Sequence, residues 1–63
     1  MKTLHICKAS QLNAGDTLVF KKTYYFVSYI EEEKYGYTVG LVDNFGNKRV
    51  RFMTQDEIIT IES

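Results

Sequence analysis

Tyr37-Thr-Val-Gly-Leu-Val-Asp-Asn-Phe-Gly-Asn-Lys-Arg-Val-Arg-Phe-Met53 reads as a β-hairpin. Tyr37, Val39 and Leu41 alternate with Thr38, Gly40 and Val42 along the first arm. Val50 and Phe52 alternate with Arg49, Arg51 and Met53 along the second. Successive side chains of a strand point to opposite faces, so each arm has a core side and a solvent side. Taking apolar residues as inward places Val39, Leu41, Val50 and Phe52 in the core and Arg49 and Arg51 outside. Asp43-Asn44-Phe45-Gly46-Asn47 supplies the turn, with Gly46 free to adopt φ > 0.

Working back toward the N-terminus, Thr23 to Ile30 is the strongest strand signal. Tyr25, Val27 and Tyr29 share one face, and Tyr24, Phe26, Ser28 and Ile30 the other. Both faces are apolar or aromatic, as expected of a central strand or of one whose outer face meets a partner. A bulge near Ser28 would exchange the faces beyond it. Glu31-Glu32-Glu33-Lys34 breaks the pattern and reads as an acidic loop. Thr17-Leu18-Val19-Phe20 is a further strand, joined to the central one through a turn at Lys21-Lys22. Ala9 to Asp16 reads as a loop or single helical turn, with Leu12 anchored in the core and Asn13, Gly15 and Asp16 making the turn. Leu4 and Ile6 alternating with His5 and Cys7 give a weak first strand.

Beyond the hairpin, Thr54 and Glu57 have capping-box spacing. Ile58-Ile59-Thr60-Ile61 is too short and β-branched for a long helix. The expectation is one short helical turn followed by a last strand. The whole is then an all-β domain, a small, strongly bent barrel of about five strands that buries its inward faces on itself.

At this point the chain resembles the small SH3-like barrels, including the KOW type. The features concerned are Leu12-Asn-Ala-Gly-Asp16 before a strand, Tyr25-Phe-Val27 with Ile30, Leu41-Val-Asp-Asn-Phe-Gly46, and Thr54 to Glu57 before Ile58. The resemblance covers most of the chain and is one of pattern. It implies the fold far more than a function. KOW-type relatives often bind RNA or ribosomal partners and carry a basic surplus, which this chain lacks.

With 63 residues the chain is read as one domain, 1–63. A domain this small buries only roughly 60% of the surface its unfolded chain exposes. One cysteine, Cys7, rules out an internal disulfide. A hydrophobic content of 44%, with five Tyr and four Phe, suits a packed core and not a disordered chain. The formal net charge is zero, so no global field draws the protein to nucleic acid or anionic membrane. Charges interrupt every apolar run well short of the ~20 residues a membrane helix needs, and no apolar segment follows Lys2 as in a secretory signal. The expected location is cytoplasmic, with no membrane partner. Abundant Lys, Ile, Tyr and Phe without Pro match AT-rich coding, as in a bacteriophage or low-GC bacterium.

Catalytic chemistry finds no support in the residues. There is no Gly-rich phosphate loop, no Ser-His-Asp set, no carboxylate pair and no cofactor motif. His5 and Cys7 are two potential metal ligands where a structural zinc site wants four, so no metal is expected. Binding is the function class that remains. Tyr24, Tyr29, Tyr35 and Tyr37 are more than one small core absorbs, and a rigid ring with a polar tip suits an interface. Together with Arg49 and Arg51 they form the expected partner-binding set of a non-catalytic protein-binding module, such as a small accessory or inhibitory protein. The alternative is a nucleic-acid-binding module in which Lys21, Lys22, Lys48, Arg49 and Arg51 follow phosphates while tyrosines stack on bases. A third reading is a homo-oligomeric structural subunit. Against each stands a plainer role: solvated basic residues protecting a strand edge, an acidic loop tip, and tyrosines at a barrel end.

Overall fold

The computed structural model describes residues 3–62. Six strands form one antiparallel sheet: β1 (Leu4–Lys8), β2 (Thr17–Phe20), β3 (Thr23–Glu33), β4 (Gly36–Val42), β5 (Lys48–Thr54) and β6 (Ile58–Glu62). The order across the sheet is β1-β6-β2-β3-β4-β5, leaving β1 and β5 as its edges. Two expectations change here. The weak first strand is a full strand, paired with β6 from Leu4↔Glu62 to Lys8↔Ile58. The sheet therefore has six strands, and it is open where a closed five-stranded barrel was expected.

One face of the sheet carries the core. Leu18, Val27, Val39, Leu41, Met53 and Ile59 are buried on it, joined by Ala9 and Leu12. Ala9 opens a 3₁₀ turn, Ala9–Gln11, whose Gln11 Oε1 accepts from the Lys8 N–H at 3.0 Å. Leu12 follows and is buried in the core, as expected. The Asn13–Asp16 turn is closed by the Asp16 N–H donating to Asn13 C=O at 3.1 Å, with Gly15 at φ 96°. The helical turn expected at Thr54–Glu57 is instead a tight β-turn between β5 and β6, in which the Glu57 N–H donates to Thr54 C=O at 3.2 Å. Only three residues separate the two strands, too few for a helix.

β3 is longer than its apolar run. It continues through Glu31, Glu32 and Glu33, which pair with Thr38, Tyr37 and Gly36, so these carboxylates lie on a strand and not in a loop. A register shift between Val27 and Tyr29 accommodates the extra residue at Ser28, whose Oγ donates to Gly40 C=O at 3.2 Å. This bulge exchanges the faces. Tyr25 and Val27 point inward, then Ile30 takes the inward place and Tyr29 turns outward.

The hairpin that decides the fold is present, but its second arm faces the other way. Pairing of Val39 with Arg51 and Leu41 with Arg49 puts both arginines on the core face, where Met53 is buried. Val50 and Phe52 are exposed on the outer face, opposite Gly40 and Thr38. The cause is the connection. Its five residues pair Val42 with Lys48, and directly opposed residues share a face, so the parity of the whole arm follows from that pair.

Candidate binding surfaces

The two faces of β5 create two different surfaces. On the outer face, Tyr29 and Val50 flank Gly40 across three strands. A Cβ at Gly40 would collide with the Tyr29 ring, so the ring occupies the space over the glycine. Gly36 is likewise overlaid by the end of Phe52. Phe26, Val50 and Phe52 are 52%, 65% and 51% exposed, and Tyr24 lies opposite Val19 on the same face. The result is an aromatic and aliphatic patch, bordered by Glu31, Glu33 and Lys48 on the same face, with no cover among the described residues.

The concave side of the sheet is basic at one end. Leu18, Phe20, Tyr25, Leu41, Arg49 and Arg51, with Val50 between the two arginines, line an open concavity of about 260 Å³. The Arg51 guanidinium lies 4.5 Å from the Phe20 ring centroid and Lys21 Nζ 5.5 Å from the same ring, both within cation–π range. Arg51 Nη2 also donates to Glu57 Oε2 at 2.7 Å, an ion pair with both side chains about one-third exposed or less. Its guanidinium is thus fixed by a carboxylate and a ring. Arg49 lies beside it and close enough to Asp43 to help hold that carboxyl below the usual carboxylate range. The larger causes of that depression are the Asn47 backbone N–H, the Asn47 side-chain amide and the Phe45 N–H, all donating to Asp43.

The expected binding residues separate. Tyr24 and Tyr29 lie on the outer face, Tyr35 is exposed at the β3–β4 hairpin tip with Lys34 Nζ 5.3 Å from its ring, and Tyr37 packs half-buried against the core. Arg49 and Arg51 belong to the concave face. Of the basic set, Lys21 and Arg51 meet at Phe20, Arg49 lines the same concavity, Lys22 shares the β2–β3 turn, and Lys48 lies opposite Val42 on the other face. Sequence reasoning missed Val50 and Phe52 as surface residues. The signal was the parity of the hairpin connection, which apolar character alone overrode.

Cys7 is partly buried on β1, where burial and then the charge of Asp16 push its thiol pKa up, so it is not an activated nucleophile. Among the described residues no group of three His, Cys, Asp or Glu is placed to hold a metal ion, and no helix is long and apolar enough to cross a membrane. The chain matches no protein-family model, and no curated protein or solved structure is similar to it at a significant level.

Proposed function

We propose that this protein is a non-catalytic protein-binding module, a small accessory or inhibitory chain that covers part of a partner with the outer face of its sheet. The observation that carries this reading is the exposure of Phe26, Tyr29, Val50 and Phe52 together on one sheet face. Large apolar groups grouped on a solvent face mark contact sites, whereas scattered ones do not. The SH3-like reading of the fold belongs to the same proposal. It is supported by a single sheet that buries Val27 and Val39 completely on one face with only a 3₁₀ turn beside it, which requires the sheet to curl round its core.

The test compares the native chain with Tyr24→Ser/Phe26→Ser, which alters the outer face without touching the core, as bait in nuclease-treated and untreated lysates. The reading expects a stoichiometric protein partner that survives nuclease and raised salt and is lost with the double variant. Capture abolished by nuclease, or equal capture by native and variant chains, would overturn it.

A second reading has one observation in its favour: Lys21 and Arg51 lie against the Phe20 ring, and Arg49 lines the same concavity. This arrangement fits phosphate contact with aromatic stacking. It predicts oligonucleotide affinity that falls steeply with salt, where the outer-face reading predicts none.

A further inference from the structure

The β5 edge has the features of a docking strand. β5 ends the sheet, so alternate backbone N–H and C=O groups along it face away from β4. Its pairing with β4 runs without a register shift from Lys48 to Thr54, and it contains no proline, so neither a bulge nor a missing donor blunts the edge. Its side chains alternate in kind. Arg49 and Arg51 project to the concave face, and Val50 and Phe52 to the outer face. No acidic residue occurs between Lys48 and Thr54.

We propose that this edge accepts an extended acidic segment of another protein, which adds as a strand beside β5, with carboxylates on its concave side and apolar side chains on its outer side. The proposal rests on the protein-binding reading and names the chemistry of the partner. Strand addition draws affinity from main-chain hydrogen bonds and specificity from the alternating side chains. Arg49 supplies the principal charge contact, since Arg51 is held by Glu57 and Phe20. Val50 and Phe52 extend the apolar face onto the new strand.

A second copy of the chain fits this edge poorly. Antiparallel pairing of β5 with itself about Arg49, Val50 or Arg51 sets arginine against arginine on the concave face, and like charges directly opposed are destabilising. The other free edge, β1, offers Leu4, His5, Ile6, Cys7 and Lys8 and no carboxylate. Nucleic acid would satisfy Arg49 but would leave the strand-spaced backbone groups and Val50 and Phe52 without counterparts.

The experiment is an NMR titration of the isotope-labelled full chain with end-blocked peptides of about ten residues, enough to span the strand. One alternates Glu with Val, one Lys with Val, and a third is the Glu/Val peptide with alternate amides N-methylated. Oligo-dT is the fourth probe. The expected result is shifts and added hydrogen-exchange protection in Lys48–Thr54 with the Glu/Val peptide alone. Binding should weaken about tenfold or more in Arg49→Glu, roughly 1.4 kcal/mol or more, and persist in Arg49→Lys. Equal binding of the Lys/Val or N-methylated peptide, protection at β1 in place of β5, or protection of β5 by oligo-dT would overturn the proposal. If the captured partner is lost with Tyr24→Ser/Phe26→Ser yet indifferent to Arg49→Glu, the edge inference fails while the protein-binding reading stands. If both variants leave capture unchanged, both fail.

Discussion

Lys21 and Lys22 sit at φ 50° and 65°, a conformation that costs an ordinary L-residue roughly 1–2 kcal/mol. Two such residues between β2 and β3 make a type I′ hairpin turn, whose twist matches that of the strands and which Asn-Gly adopts most readily. Lys21→Asn/Lys22→Gly is therefore expected to stabilise the protein by about 1 kcal/mol, a rise in Tm of about 4–8 °C for a domain of this size. The same exchange removes the exposed cation–π pairing of Lys21 with Phe20, which contributes about 0.5 kcal/mol and does not reverse the sign. Thermal and urea unfolding read the difference, and an unchanged or lower Tm would show that the turn is not strained as described. The turn's position was legible from the sequence, but its conformation was not, because lysine carries no preference that announces φ > 0. The second connection was the opposite case. Gly46, at φ 81°, and the Asp43 carboxylate are recognisable turn chemistry, and Asp43 accepts from Phe45 N–H and Asn47 N–H at 2.9 Å each. These donors lower the Asp43 pKa in the folded state. The stability they confer is present above the unfolded value of about 3.9 and is lost as pH falls through the lower folded value. Asp43→Asn keeps an acceptor oxygen and removes the titration. Its Tm should lie below the native Tm at pH 7, with the gap closing as pH drops below the unfolded value. A gap independent of pH would mean that the charge contributes nothing.

At the scale of the element, β5 shows why alternation alone assigns a strand but not its facing. Val50, Phe52 and Met53 put apolar residues on both faces, and Arg49 and Arg51 have long stems that lie over apolar surface while their heads reach water or a partner. Either facing satisfies the pattern, and the connection from Val42 to Lys48 decides. β3 poses the same problem with a clearer cue: aromatic and aliphatic residues on both faces, and a small polar Ser28 where the bulge occurs. The candidate surface was accordingly half legible. Tyr24 and Tyr29 are exposed together on the outer face, but Tyr37 was spent on the core and Val50 and Phe52 took its place outside. The facing of β5 can be measured. Val50→Thr, on the outer face, should change stability by no more than about 0.5 kcal/mol. Met53→Ala, with the native side chain 1% exposed, should cost about 2–5 kcal/mol. The reverse ranking in urea unfolding would restore the inward assignment of Val50.

For the whole molecule, the open sheet places the most secure hydrogen bonds at its middle and the least secure at β1 and β5. β3 and β4 each have a neighbour on both sides and contribute Val27, Val39 and Leu41 to the core, so opening them exposes most of what the fold buries. Native-state hydrogen exchange should find the slowest amides in β3 and β4, with free energies of opening that approach global unfolding. In β5 the expectation is alternation: amides bonded to β4 are protected and those facing away exchange at nearly the rate of an exposed chain. That alternation distinguishes an open sheet from a closed barrel, in which the outward set would be bonded to another strand. It also distinguishes a free edge from self-association through β5, since protection would then rise with protein concentration. Uniform, concentration-independent protection across Lys48–Thr54 would show the barrel to be closed and would remove the edge on which strand addition depends. Alternating protection that becomes uniform only when an acidic strand is supplied would tie the open architecture directly to the proposed strand addition at β5.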